Sequence, residues 1–286
     1  MKFRVSPSNL ESFRNYLIGN YALWGKAQAD LKAELLGGFS GNPSTSLGTA
    51  VHAIIEGQPY EYTGTEIRYH DAQMGLTWSF TGQAQEMILA LRDHFTTAMH
   101  EVPIKANVKL FDGTEVEMNM RIDALDGLMI TDFKTSKTKK AYSDFAHSIQ
   151  WRCYCFALPE VNEVSYVVLE FKHNDPDKVQ DQVKVRYFNY LPEQNNDAKV
   201  VDLMQAFIDW VKDDAELYEH FVQYEGEQRD AYITRCAFLF PELIQKVYAG
   251  SETKDRAEQI IRHRVKKYPE LQPWAESLLQ ELRELK

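Results

Sequence analysis

One stretch of alternation constrains this chain more than any other feature. From Val116 to Ala124 the even positions are apolar (Val116, Met118, Met120, Ile122, Ala124), while Glu117, Asn119, Arg121 and Asp123 fall between them. A period of two predicts a strand buried on one face, with Asp123 on the other. A second apolar run, Leu128 to Phe133, follows Asp126-Gly127, a dipeptide that favours a two-residue hairpin turn. With Asp126 and Gly127 as the turn, Leu125 pairs with Leu128 and Asp123 with Ile130. Asp132 and Lys134 then share the face of Asp123. The two acids become diagonal neighbours, with α-carbons about 7–8 Å apart. A three-residue loop would instead set Asp123 opposite Met129, on the wrong face. The preceding hairpin has that longer form: Phe111-Asp112-Gly113 aligns Val108 with Val116 and Ala106 with Met118.

Two carboxylates at that separation are suited to hold one hard divalent cation, Mg²⁺ or Mn²⁺, which keeps waters through which phosphate and nucleophile enter. The competing reading makes Asp123 and Asp132 surface acids, with Arg121 opposite Asp132 as an ordinary cross-strand pair.

Around this hairpin the chain alternates in type. Ser8-Asn9-Leu10-Glu11 has the form of a capping box, with a helix through Leu10, Phe13, Tyr16 and Leu17. Residues 37–46 read as a loop, a helix begins near 47–49, and 58–80 gives no clear signal. Residues 82–100 and 141–158 read as helices; 105–111, 116–125, 128–135, 164–172 and 182–190 read as strands, the last two a hairpin around Asn174 to Asp177. Beyond Gln194 the pattern is helical, with Val201, Met204, Phe207, Ile208 and Val211 on one stripe. The expected organisation is an α/β core over 1–195, a mixed central sheet flanked by helices, followed by a helical carboxy-terminal extension over 196–286.

The ordered set of short motifs resembles a known family. Met120-Arg121-Ile122-Asp123, a turn, and Ile130-Thr131-Asp132-Phe133-Lys134-Thr135 are similar to the D…(D/E)XK core of PD-(D/E)XK nucleases of the RecB-like exonuclease type. Gln150-Trp151-Arg152-Cys153-Tyr154 is similar to that family's Q-x-x-x-Y helix. Gly48-Thr49-Ala50-Val51-His52-Ala53-Ile54-Ile55-Glu56 is similar to its G-T-x-x-H-x-x-x-E helix, and Ser6 to Phe13 to its S-x-S-x-L start. The resemblance covers residues 6 to about 172. It implies a restriction-endonuclease-like fold and a metal site of His52, Asp123, Asp132 and the Phe133 carbonyl. It further implies that Lys134 acts on the attacking water and the phosphate, that Gln150 and Tyr154 face the site, and that Glu56 borders it. Met120 and Ala124 depart from the family's usual Gly and Arg around the first Asp. Four cysteines of an iron–sulfur branch are not matched by Cys153, Cys155 and Cys236, so no cluster is expected.

Thr135, Lys137, Lys139 and Lys140, at the end of the second strand, are candidates to meet substrate phosphates. The net charge of −10 counts against bulk coating of nucleic acid but leaves room for such a local strip. The chain lacks a G-x-x-x-x-G-K-[ST] loop, so no ATP-driven step is expected. It also lacks a G-x-S-x-G elbow and an H-E-x-x-H helix. Three cysteines, no signal-peptide core and no apolar run of about 20 residues point to the cytoplasm and no membrane. The resulting expectation is a Mg²⁺-dependent deoxyribonuclease, an exonuclease of recombination, repair or phage DNA processing. It would act on DNA with a recombination partner or as a homo-oligomer. The alternative is a silent nuclease-fold module that binds DNA or a partner.

Overall fold

The computed structural model describes residues 2–37 and 41–284. Two compact bodies are present. One is Phe3–Phe221; the other is Val222–Lys286 with the first two residues. The helix Asn196–Lys212, grouped by sequence with the carboxy-terminal extension, lies within the first body.

The first body is built on a mixed sheet. Its strands are β1 (Lys2–Val5), β4 (Met99–Lys109), β5 (Glu115–Asp126), β6 (Met129–Ser136), β7 (Glu163–Phe171) and β8 (Val183–Tyr190). A small antiparallel sheet, Glu61–Tyr62 with β2 (Glu66–Asp71) and β3 (Leu76–Thr81), fills the segment that carried no clear signal. The main helices are α1 (Pro7–Leu17), α2 (Pro43–Ile55), α3 (Gly82–His94), α4 (Ile149–Ala157) and α5 (Asn196–Lys212).

The β4–β5 hairpin has the expected register, Val108 with Val116 and Ala106 with Met118. The β5–β6 turn does not sit where expected. The ladder runs Asp126–Met129, Leu125–Ile130, Ala124–Thr131, so the turn residues are Gly127 and Leu128. Glycine leads the turn at φ 58°, a conformation it adopts without a Cβ penalty. The pairing register therefore shifts by two residues, which preserves which residues share a face. By that count Asp123 stands directly across from Asp132, not diagonal to it.

The ladder then stops. On this edge of β5, β1 pairs in parallel with Val116 to Met118, and β6 pairs with Ala124 to Asp126. Residues 119–123 lie in the gap between. This fork in the sheet is what opens a site at Asp123.

One face of the sheet is dry. Ala124, Phe133, Val167 and Leu169 pack with Leu47, Val51 and Ile54 of α2 and with Ile88 and Leu91 of α3. Trp78 of β3 is fully buried in the same core, and its Nε1 donates to Ser46 Oγ at 3.0 Å. The other face carries α4, where Asp132 pairs in register with Tyr166 and lies against Tyr154.

Three helix expectations need correction. The helix expected over 82–100 ends at His94, and Met99–Lys109 is strand β4. Residues 141–158 form two helices, Tyr142–Ala146 and α4, because Ser148 takes an extended backbone and caps α4 through Gln150 N–H. Helix α1 is capped by Ser6, not Ser8, and its box partner is Asn9. Glu11 has a different task. Its Oε2 accepts from Ser148 Oγ (2.9 Å) and Ile149 N (2.6 Å), so α1 caps α4 from outside. Glu11→Ala should lower stability by about 1–2 kcal/mol, the cost of a lost cap. Urea unfolding of both proteins checks this; an unchanged midpoint would remove Glu11 from the scaffold.

In the second body, α6 (Gly226–Tyr248), α7 (Lys254–Lys267) and α8 (Gln272–Glu284) bury Phe240, Ile244, Ile261, Leu271 and Leu282 in a core of their own.

Candidate metal centre in the strand fork

Every element around the fork contributes a polar side chain. From β6, Asp132 is 1% exposed yet carries a carboxylate, so its partners decide whether it is tolerable. Its Oδ2 accepts from Gln150 Nε2 (2.8 Å) and Tyr154 Oη (2.8 Å), one turn apart on α4. Its Oδ1 pairs with Lys134 Nζ at 2.5 Å, two residues on along the same strand. Burial opposes the lysine's charge, but Asp132 and Asp123 outweigh it and raise its pKa, so Lys134 stays an ammonium. Burial and the Asp132 charge push the Tyr154 phenol well above its ordinary range, keeping it a neutral donor.

From β5, Asp123 Oδ2 accepts the Phe133 N–H at 2.8 Å, standing in for the carbonyl that a continued ladder would offer. Burial first, and then the charge of Asp132, push its carboxyl up to about 8.

From α2 comes His52. Its Nε2 lies 2.8 Å from the Phe133 carbonyl oxygen. A carbonyl can only accept, so Nε2 carries the hydrogen. Burial lowers the pKa of this ring, leaving it neutral. Its bare Nδ1 then faces Asp123 Oδ2 at 3.6 Å and Glu56 Oε1 at 3.9 Å. A lone pair aimed at carboxylate oxygens is an arrangement that a cation resolves.

From β4 comes Glu101, which sequence reasoning missed because the strand was expected to begin only at residue 105. The atoms of His52, Glu101 and Asp123 lie within 4.8 Å of one another, a spacing suited to one ion. Asp132 is not in that set; it is turned toward Lys134, Gln150 and Tyr154. Arg121 does not pair with Asp132 as the surface reading would have it. Its Nη1 meets Glu101 Oε2 at 2.5 Å. One buried carboxylate oxygen in the fork, Glu56 Oε1, lacks a hydrogen-bond partner, and burial and Glu101 raise the pKa of Glu56. A neutral imidazole, four carboxyls and an orphaned carboxylate oxygen fit a hard divalent cation.

Two hollows meet at Arg121. One, about 500 Å³, is lined by His52, Glu56, Glu101, Lys134 and Thr135, beside Thr45 and Thr49 of α2. The other, about 410 Å³, is lined by Gln150 and Tyr154 with Ser6, Lys105 and Asn119. Gly48 brings α2 close to β6: a Cβ there would lie 3.3 Å from Thr135 Oγ1. Lys137, Lys139 and Lys140 line neither hollow; they follow β6 in a loop where the Lys140 N–H donates to Glu170 Oε1 at 2.6 Å.

Because Tyr154 steadies Asp132 rather than touching the hollow of His52, Tyr154→Phe should lower cleavage about 10-fold or more, as loss of a hydrogen-bond partner behind a site carboxylate does, and leave DNA affinity unchanged. Single-turnover rates together with a binding isotherm test this; an unaltered rate would leave the phenol no part in orienting Asp132.

No curated protein matches the sequence. The crystal structure of SSO0001 aligns over 73% of this chain and 77% of its own, with 15% identity and a TM-score of 0.40. The family model described as the PD-(D/E)XK nuclease superfamily matches residues 4–285. With that match spanning nearly the whole length, the chain belongs to the PD-(D/E)XK nuclease superfamily.

Proposed function

We propose that this protein is a Mg²⁺- or Mn²⁺-dependent deoxyribonuclease of RecB-like type, an exonuclease acting in recombination, repair or phage DNA processing. The observation that carries the reading is Asp132, buried and fixed by Gln150, Tyr154 and Lys134, across the fork from Asp123 and the neutral His52. His52, Asp123, Asp132 and the Phe133 carbonyl would hold the ion. A bound divalent cation supplies electrophilic polarisation of the phosphoryl group and lowers the pKa of water.

The chain's own groups do the rest. Lys134 keeps its charge beside the carboxylates, where it offsets negative charge growing on the phosphate and aligns the attacking water. Gln150 and Tyr154 hold Asp132 in one orientation. Glu56 closes the edge of the hollow. Thr135, Lys137, Lys139 and Lys140 take the phosphates of the DNA strand as it leaves the site. Among the described residues no helix is long and apolar enough to cross a membrane. The three cysteines are buried and free, which supports a reducing, cytoplasmic setting. A recombination partner or a second copy of the chain would complete the assembly.

The deciding experiment incubates the protein with end-labelled linear DNA and with closed circular DNA, in Mg²⁺, Mn²⁺ or EDTA. Loss of label from linear DNA alone, abolished by EDTA, is expected. Cutting of the circle would assign an endonuclease. Binding with no cutting of either form in either metal would make the chain a silent nuclease-fold module.

A further inference from the structure

We propose that Glu101 is a metal-binding carboxylate of this site, and that Arg121 is the counter-ion holding it while no cation is bound. The inference rests on the metal-nuclease reading above and adds a ligand from β4, a strand that contributes none of the residues assigned so far.

Glu101 is placed by the sheet. The β4–β5 ladder pairs His100 with Ala124 and Val102 with Ile122, which leaves Glu101 facing Asp123. At that point its backbone turns to φ 52°, and it does so as the one non-glycine residue with positive φ among those described. A regular strand alternates its side chains across the two faces; a left-handed residue breaks that alternation and re-aims its side chain. Here it aims at the fork. The carboxylate comes within 4.8 Å of ligand atoms of both His52 and Asp123.

Two observations beyond the cluster of acids point to a ligand. Glu56 has a side chain 6% exposed, and its Oε1, on the His52 side of the fork, has no hydrogen-bond partner. The bare Nδ1 of His52 faces carboxyl oxygens of Asp123 and Glu56 at 3.6 and 3.9 Å, beyond hydrogen-bond reach. A proton on one of these groups would satisfy one contact. A cation among His52, Glu101 and Asp123 would meet the His52 lone pair and both of those carboxylates together. Arg121 already supplies Glu101 with a positive partner from the outside: it is 69% exposed, against 35% for Glu101. An ion entering the fork competes with that guanidinium for the same carboxylate and is repelled by its charge.

The opposing signs of these roles make the test. Mn²⁺ binding to the full chain is followed by calorimetry and by the metal-induced rise in melting temperature, for the parent, Glu101→Gln, Glu101→Gly and Arg121→Gln. The parent should bind. Glu101→Gln should bind roughly 10-fold or more weakly, at least the loss typical when support for a metal site is removed. Glu101→Gly should melt above the parent in EDTA, since glycine accepts positive φ freely, yet gain less from Mn²⁺. Arg121→Gln should bind Mn²⁺ more tightly than the parent. Equal Mn²⁺ affinity in Glu101→Gln and the parent overturns the ligand role, and weaker binding in Arg121→Gln overturns the counter-ion role. A parent that binds no Mn²⁺ at all instead brings down the metal-nuclease reading itself, an outcome separate from either.

Discussion

Replacing Lys134 with alanine should leave a folded protein that binds metal and DNA and cuts at least about 100-fold more slowly, the size of loss seen when a positioned transition-state contact is removed. The expectation follows from where the ammonium sits. It is one strand period from Asp132, in contact with Oδ1 at 2.5 Å, and it lines the hollow that holds His52, Glu56 and Glu101. Asp132 and Asp123 keep it charged against the pull of burial. A charge maintained there costs desolvation, and the return comes only when a phosphate gathers negative charge beside it. Among the described residues the hydrogen-bonded partner of Lys134 is Asp132 alone, with the Tyr166 ring 5.7 Å from Nζ, so its loss should not unfold the sheet. Asp132 retains Gln150 and Tyr154 as donors in the variant. Lys137→Ala is the control. On the loop after β6, it should weaken DNA binding and lower its salt dependence more than it slows turnover. Single-turnover cleavage at saturating enzyme separates the two. A Lys134→Ala protein that cuts at the parent's rate would leave the lysine as a simple counter-charge for Asp132.

The elements that sequence made legible are those with a period. The alternation in 116–124 is a strand because Val116, Met118, Met120, Ile122 and Ala124 are all buried along one face of β5. The i,i+4 spacing of Gln150 and Tyr154 places both on the side of α4 that meets Asp132. The register of the second hairpin was legible only as parity. Which residues share a face survives a register shift of two residues; whether the two acids are diagonal or directly opposed depends on glycine taking the first turn position. Two features were not legible at all. The fork exists because β1 and β6 share one edge of β5 without meeting, and a contact between residue 3 and residue 116 leaves no local trace. Glu101 enters the site through a single backbone angle, just ahead of the alternation of Val102, Ile104, Ala106 and Val108 in the same strand. The capping of α4 by Glu11 is of the same kind: Ser8-x-x-Glu11 has the local form of a box, but the glutamate's partners lie 137 and 138 residues away.

Asp123→Asn should slow cleavage by about 1,000-fold or more and, in the same protein, raise stability when metal is absent. Both effects come from the carboxyl's surroundings. It is enclosed in the fork, across from Asp132, near the lone pair of His52, with one N–H donor from Phe133. An ionised carboxylate there lacks the cations and donors it had in water, and its carboxyl is pushed up to about 8 by burial and by Asp132. In the unfolded chain the group ionises near pH 4. Between about pH 4 and pH 8 the unfolded chain therefore releases this proton while the metal-free folded chain retains it, and stability falls as pH rises through that window. Asparagine keeps the shape and still accepts from Phe133 N–H through its carbonyl, with no charge to desolvate. The variant in EDTA at pH 8 should be more stable than the parent by roughly 1–3 kcal/mol, the scale of removing an uncompensated buried charge. Its stability should also depend less on pH. With Mn²⁺ the ranking reverses, because the parent gains binding energy that the amide cannot supply. Cleavage should fall by about 1,000-fold or more, since several kcal/mol of transition-state stabilisation go with the ion. Denaturant curves at pH 5 and pH 8, with EDTA or Mn²⁺, decide the matter. A metal-free Asp123→Asn protein that is less stable than the parent at pH 8 would mean the carboxylate holds the fork together by itself, and that no cation is needed to reconcile it with Asp132.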